Sequence, residues 1–252
     1  MKRASLWLVS MLIAASTLAV PGPTAAAYPA HVWSNSDAFK ATCLGYNDTY
    51  PQQLYSLSVT QLANRGFGPI SGALGAGFTR SALLNNVLSD WAVYVHSHGD
   101  NYWAASGYPN VDSGVLQDPG AGRCNSSSDI IRSSSIRSAT QGSYYNIVIM
   151  STCMLGSSSS TMPAAFQIDK TKQSNDPEFY LGYVYHTWDS SSLRFEEAFW
   201  SYINGGASRT LSGAYAYASG IGGYEPVGSE PFQANWWGNP YYDGAPQRPT
   251  AR

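Results

Sequence analysis

The sequence predicts an α/β fold, a three-layer sandwich around a mainly parallel, doubly wound sheet. Two short apolar runs, residues 91–95 and 145–150, have the form of strands that are buried on both faces. Segments with apolar residues at helical spacing separate such runs along the chain. Because strands that alternate with helices form parallel sheets covered by helices on both sides, this pattern predicts the doubly wound class.

The amino-terminal segment has the pattern of a secretory signal peptide. A basic start precedes an apolar stretch at residues 6–20, and Ala25 and Ala27 form an A-x-A cleavage site. The apolar stretch is shorter than the roughly 20 residues that a helix needs to cross a bilayer. We therefore predict that residues 1–27 are removed and that residues 28–252 form one secreted, extracellular domain with no membrane association.

The composition is that of a globular protein with little charge. The chain has 252 residues, of which 44% are hydrophobic and 12% are charged, and its net charge is −2. This balance is too apolar for a disordered chain and not basic enough for a nucleic-acid binder. We expect a monomer that has no nucleic-acid partner.

The chain has three cysteines, and an odd number in an exported protein leaves at least one unpaired. Cys43 and Cys124 lie in segments typical of loops, whereas Cys153 follows the apolar run at 145–150 directly. We predict a disulfide between Cys43 and Cys124 and a free thiol at Cys153. The alternative is that all three are reduced and buried.

The helices and strands follow from local patterns. One helix is expected to begin at Asp48 or Thr49 and to end near Gly66, and a second is expected to be capped by Thr79. The predicted strands are at 38–46, 91–95, 145–150 and 178–188, and the predicted helices are at 47–67, 77–90, 161–168, 193–207 and 208–220.

Two regions lack such patterns. Residues 100–142 are rich in Gly, Ser, Asn and Pro, which predicts a long loop with one short helix around 128–138. The segment from residue 221 onward is rich in aromatic residues, Gly and Pro, and we expect an irregular carboxyl-terminal tail.

Candidate catalytic residues follow two of the predicted strands. His98 and Gly99 come just after the first, and Cys153 comes just after the second, 55 residues beyond His98. Because ligands bind at the carboxyl ends of strands in open α/β sheets, both side chains are expected in one cleft. A thiolate can attack a carbonyl there while an imidazole protonates the leaving amine. The backbone N–H groups of Gly99 and Cys153 could form an oxyanion hole, although turn chemistry alone would also explain the glycine.

The segments WAVYVHSHG (91–99) and YNIVIMSTCMLG (145–156) resemble the caspase, gingipain and legumain superfamily of cysteine peptidases. The hallmark of that superfamily is an apolar strand ending in His-Gly and a later strand ending in the nucleophilic Cys. The resemblance extends over roughly residues 38–242 and implies a caspase-like (haemoglobinase-like) fold, with His98 as general acid/base and Cys153 as nucleophile. Ser and Thr stand where caspases have Gln-Ala before the nucleophile, which implies a bacterial-type secreted member.

The resemblance also implies the class of substrate. A peptide or protein would be the partner, and members that cut after Arg or Lys use carboxylates in the primary pocket. The candidates are Asp189 and Asp48, for each of which a helix N-cap is the structural alternative. Asp100 could instead close the catalytic turn. No cofactor is required, while some relatives bind calcium, so that calcium binding stays open.

Two other functional classes fit parts of the sequence. The segment HSHGDN resembles a metallo-hydrolase motif, in which His96, His98 and Asp100 would hold zinc, but Asn101 stands where a further His is needed. A non-catalytic protein that binds peptide or carbohydrate through its many Tyr and Trp residues is the other alternative. A serine hydrolase is disfavoured because the chain has no G-x-S-x-G elbow. In the peptidase interpretation His96 is a strand-end residue that lines the cleft.

Overall fold

The computed structural model describes residues 27–37, 43, 49–103, 111–222 and 231–248, with the side chains of residues 103 and 111 left out. The strands are β1 (Ala30–Ser34), β2 (Ile70–Leu74), β3 (Ala92–His96), β4 (Gly99–Trp103), β5 (Val111–Leu116), β6 (Ile130–Arg132), β7 (Ile147–Ser151), β8 (Phe179–Tyr183) and β9 (Ala234–Gly238). The α-helices are α1 (Tyr50–Asn64), α2 (Arg80–Asn86), α3 (Ser133–Ala139), α4 (Met162–Ala165), α5 (Asp189–Asn204) and α6 (Leu211–Ile221).

The main sheet has six strands in the order β2-β1-β3-β7-β8-β9. The first five are parallel, and β9 runs antiparallel to β8 at the edge. A second sheet consists of the antiparallel strands β4, β5 and β6. The mainly parallel sheet confirms the predicted α/β class.

Buried side chains cover both faces of the main sheet and make the three layers. On one face the strands pack against α1, α5 and α6, through residues such as Leu54, Phe199 and Leu211. On the other they pack against α2, α3 and α4, through residues such as Leu83 and Ile136. Successive residues of a strand point to opposite faces, so the continuous apolar runs in β3 and β7 supply both cores.

Capping residues in the sequence predicted the starts of α1 and α2. The Thr79 hydroxyl accepts a hydrogen bond from the Ala82 N–H, as expected of the cap of α2. Helix α1 follows Thr49 and ends at Asn64, two residues before the predicted stop at Gly66.

Three expectations for regular structure were wrong. The segment 100–142 is not a loop with one helix, because it contains parts of the second sheet as well as α3. The tail after residue 221 is not wholly irregular, because Ala234–Gly238 forms β9, whose Trp236 and Trp237 pack into opposite cores. Strands β1 and β2 were missed, and the strand expected at 38–46 lies outside the described residues except for Cys43, which is in a turn.

Cys43 and Cys124 form the predicted disulfide, with their Cα atoms 5.3 Å apart, and Cys153 is a free thiol. The alternative of three reduced cysteines is therefore wrong. Within the described ranges no helix combines the length and the hydrophobicity that a bilayer crossing requires. The predicted signal peptide is residues 1–27, of which residues 1–26 lie outside the described residues.

Candidate active site

The predicted dyad lies at the ends of two adjacent parallel strands. In the register of β3 and β7, His96 stands opposite Ser151. His98 and Cys153 each follow two residues later, so both leave the sheet at the same edge. Both residues therefore follow the carboxyl ends of adjacent parallel strands, the edge at which open α/β sheets bind ligands.

Gly99 is the point where the chains after β3 and β7 approach most closely. A Cβ atom added at this glycine would lie 2.7 Å from Thr152 Oγ1 and 3.0 Å from the Cys153 carbonyl oxygen. Only a residue without a side chain fits this space, so the glycine has a packing reason at this position.

The backbone of Gly99 is also oriented by β5. The Leu116 N–H donates to the His98 carbonyl oxygen at 2.9 Å, and Gly99 stands opposite Val115 in the antiparallel pair. His98 and Leu116 are therefore a hydrogen-bonded pair of the two antiparallel strands. Hydrogen-bonded and non-hydrogen-bonded pairs alternate along such strands, so the next pair, Gly99 and Val115, is not hydrogen-bonded. The Gly99 N–H therefore points away from β5.

The Cys153 thiol is held by the loop that follows β8. Its Sγ accepts a hydrogen bond from the Thr187 N–H at 3.4 Å and lies 3.8 Å from the Thr187 carbonyl oxygen. Burial raises the pKa of Cys153 to about 11, and the nearby carboxylates of Asp189 and Asp100 act in the same direction. The thiol is consequently protonated at neutral pH.

The His98 ring is mostly removed from solvent. Burial lowers the pKa of His98, and the Asp189 carboxylate opposes that shift while His96 adds to it. The imidazole is therefore neutral at neutral pH and can accept a proton. His98 and Cys153 are thus both uncharged at neutral pH.

His96 is buried at the end of β3, with only 1% of its surface exposed. Its Nδ1 is 3.0 Å from Ser34 Oγ, and its Nε2 is 3.1 Å from Asp189 Oδ1. The ring thus connects β1, β3 and α5 behind the candidate dyad.

Asp189 is the first residue of α5, a position where the helix dipole stabilises a negative charge. Oδ1 takes the contact with His96 Nε2, and within the described part of the chain Oδ2 makes no hydrogen bond. The side chain is 14% exposed. The other candidate specificity residue, Asp48, lies outside the described residues.

Asp100 lies on β4, immediately after Gly99, and its Oδ1 accepts a hydrogen bond from the Asn101 N–H at 2.6 Å. In the zinc alternative, this carboxylate would join His96 and His98. Among the described residues, no three His, Cys, Asp or Glu side chains are grouped closely enough to hold a metal ion.

A buried carboxyl group that no sequence motif indicated lies close to this site. Glu196 on α5 is fully buried, and its two oxygens accept hydrogen bonds from the hydroxyls of Tyr94 and Tyr183, each at 2.9 Å. It lies four residues before Trp200 and seven before Ile203, both buried. This helical spacing puts an acidic residue on the apolar face of the helix, and that pattern in the sequence could have indicated a buried carboxyl group.

No protein-family model and no curated protein matches this chain.

Proposed function

We propose that this chain is a secreted cysteine endopeptidase in which Cys153 is the nucleophile and His98 the general acid/base. The observation that carries the proposal is the adjacency of β3 and β7, with Gly99 packed against Thr152 and the Cys153 backbone. This adjacency supports the proposal, because Cys153, His98 and the backbone N–H groups of Gly99 and Cys153 all follow the ends of these two strands. These are the groups that acyl transfer requires.

The protonation states determine how the first step proceeds. Cys153 is a neutral thiol and His98 a neutral imidazole, so the thiol proton passes to His98 as the sulfur attacks the substrate carbonyl carbon. The carbonyl oxygen becomes an oxyanion, for which the N–H groups of Gly99 and Cys153 are the proposed donors. His98 then gives the proton to the leaving amine as the C–N bond breaks.

Hydrolysis of the resulting thioester completes the cycle. Water loses a proton to His98 and attacks the acyl carbon, and the Cys153 sulfur leaves and recovers that proton. The thiol must turn away from Thr187 to reach a substrate, because its present hydrogen-bond partner is that residue. No cofactor takes part in these steps.

Asp189 is the proposed determinant of cleavage after Arg or Lys. Its Oδ2 makes no hydrogen bond within the described residues, and its charge acts on both His98 and Cys153. A guanidinium or ammonium group could bind there, since carboxylates are preferred partners of both. His96 would then be a positioning residue, because it holds Oδ1.

The disulfide between Cys43 and Cys124 supports export, because such bonds persist mainly in oxidising compartments. Together with the predicted signal peptide, it is the basis for proposing an extracellular protease.

The test is cleavage of a mixed peptide library by residues 28–252 under mild reducing conditions with a chelator. Cys153→Ala and His98→Ala are each expected to abolish cleavage, while His186→Ala, a change of an exposed histidine, should retain it. Circular dichroism would verify that each variant is folded. Absence of cleavage by the unmutated protein would overturn the proposal in favour of a non-catalytic peptide- or carbohydrate-binding protein.

A further inference from the structure

We propose that the outer face of the second sheet carries a subsite for an acidic side chain of the substrate, with Arg132 as its binding residue. The inference rests on the proposed peptidase function and extends it to a second specificity determinant, separate from Asp189. It arises from a cavity of about 580 Å³. The cavity is lined by Tyr102, Leu116, Ile130 and Arg132 from strands β4 to β6 and by residues 125–127 from the loop before β6.

The cavity is connected to the candidate dyad through β4 and β5. Strand β4 begins at Gly99, and the Leu116 N–H donates to the His98 carbonyl oxygen. At about 3.3 Å per residue, Tyr102 lies roughly 10 Å along the strand from Gly99. That is the length of about three residues of an extended peptide, so the cavity suits a side chain about three residues from the cleaved bond.

The wall formed by Tyr102 is fixed by its neighbours. A Cβ atom added at Gly114 would lie 3.1 Å from Tyr102 Cδ2 and 2.8 Å from Ile130 Cγ2, so the glycine lets both side chains lie across β5. The Arg132 guanidinium carbon is 5.7 Å from the centre of the Tyr102 ring, in cation–π geometry. The wall therefore combines apolar surface with the Arg132 guanidinium, whose charge is partly balanced by Asp112.

Arg132 retains hydrogen-bonding capacity. Its Nη1 is buried and, among the described residues, has no hydrogen-bond partner. Arg132 forms an ion pair with Asp112, whose Oδ2 is 4.0 Å from Nη1 and thus beyond hydrogen-bond distance. Asp112 instead accepts hydrogen bonds from the Ser133 hydroxyl and from the N–H and hydroxyl of Ser134.

These features favour an occupant with an aliphatic stem and a carboxylate end. The stem would cover Leu116 and Ile130, and the carboxylate would accept the hydrogen bonds that Arg132 does not otherwise donate, since arginine matches carboxylate geometry. Glutamate has this form. An uncharged amide of the same shape or an aromatic ring would use the apolar wall without the charge.

The experiment compares peptides that are identical except for Glu, Gln or Phe at one position, scanned across four residues on each side of the cleaved bond. The expected result is a kcat/KM about tenfold higher for Glu than for Gln at one position. Arg132→Met should remove the preference for Glu over Gln, while Arg132→Lys should keep part of it. Arg137→Met removes a charge from an exposed arginine on α3 and should have no effect.

The outcomes separate this subsite from the peptidase itself. Cleavage with equal kcat/KM for Glu and Gln at every position, or a Phe preference that Arg132→Met does not change, would overturn the subsite and leave the peptidase standing. If the unmutated protein cuts no peptide, the peptidase fails. Fluorescence anisotropy with the same peptides and Cys153→Ala then decides the pocket, because tighter binding of Glu than of Gln that depends on Arg132 supports it and equal binding overturns it.

Discussion

A contact between the His96 imidazole and the Asp189 carboxylate joins the end of β3 to the start of α5. The distance from His96 Nε2 to Asp189 Oδ1 is 3.1 Å. The contact spans 93 positions in the chain and lies between a fully buried ring and a mostly buried carboxylate. It holds α5 in place beside the strand end from which His98 continues.

We expect this contact to contribute measurably to stability. Asp189→Asn removes the charge and should lower the free energy of unfolding by about 1.5–3 kcal/mol, since a hydrogen bond to a charged group contributes that order. Urea denaturation of Asp189→Asn, His96→Gln and the double variant would give the coupling energy. We expect about 1 kcal/mol of coupling, whereas effects that add within about 0.3 kcal/mol would contradict direct contact.

Gly99 is the second structural prediction. Gly99→Ala places a methyl group within 3.0 Å of Thr152 and of the Cys153 carbonyl oxygen, so the ends of β3 and β7 must separate. We expect a loss of about 1–3 kcal/mol in unfolding free energy from overpacking. Displacement of a proposed oxyanion donor should also lower kcat by about 100-fold or more.

The matched control is Gly220→Ala, because a Cβ atom there meets nothing within 4 Å. It should be neutral or slightly stabilising, since alanine favours helices. The double variant Gly99→Ala/Thr152→Gly should recover part of the stability by removing the clashing side chain. If Gly99→Ala alone matches the unmutated protein in thermal melting and in kcat, the packing argument is wrong.

The Cys153 thiol gives a prediction about pH. Because burial raises its pKa to about 11, the reactive thiolate is rare at neutral pH. The rate of alkylation by iodoacetamide should rise about tenfold per pH unit from pH 7 to 10 without levelling off. With the disulfide intact, Cys153 is the one thiol of the chain, so mass spectrometry reports a single site.

The same chain unfolded in urea is the control for this measurement. Its rate should level off above the ordinary thiol pKa of about 8.5. A plateau below pH 8 in the folded protein would instead indicate a preformed thiolate–imidazolium pair, and the neutral pair proposed for the first catalytic step would be wrong.

The central strands, and the positions of His98 and Cys153 just after them, could be predicted because the signals are local. β3 and β7 are continuous apolar runs, Thr79 is a side-chain cap, and Cys153 directly follows its strand. Burial on both faces makes such strands recognisable from a few consecutive residues. The disulfide could be inferred because two of three cysteines lie in loop-like sequence.

The second sheet could not be predicted, because its stability depends on partners far apart in the chain. β4 is the polar segment GDNYW, whose sequence is typical of a loop. It is a strand because it pairs with β5. β5 likewise depends on β6, with Leu116 opposite Ile130. The contact of His96 with Asp189 was missed for the same reason, since spacing along a strand does not identify a partner 93 positions away.

Glu196 provides the last test, because a buried carboxyl group couples stability to pH. Burial raises the pKa of Glu196, while the neighbouring Ser151, Tyr94 and Tyr183 hydroxyls oppose the shift. The folded carboxyl therefore stays protonated at pH values where the unfolded one, with a pKa of about 4.3, has ionised. Its stabilising contribution is complete below that value and is lost as the pH rises through the higher folded pKa.

Glu196→Gln should remove this dependence, because the amide does not ionise and can still contact both tyrosine hydroxyls. We expect the unmutated protein to lose unfolding free energy relative to this variant between pH 4 and pH 8, measured by urea denaturation at each pH. Glu197→Gln alters an exposed neighbour on the same helix and should differ from the unmutated protein by a constant small amount. The unfolding free energies of Glu196→Gln and the unmutated protein could instead differ by the same amount at every pH. That result would mean that Glu196 is ionised in the folded protein, where the two tyrosine hydroxyls would stabilise its buried charge.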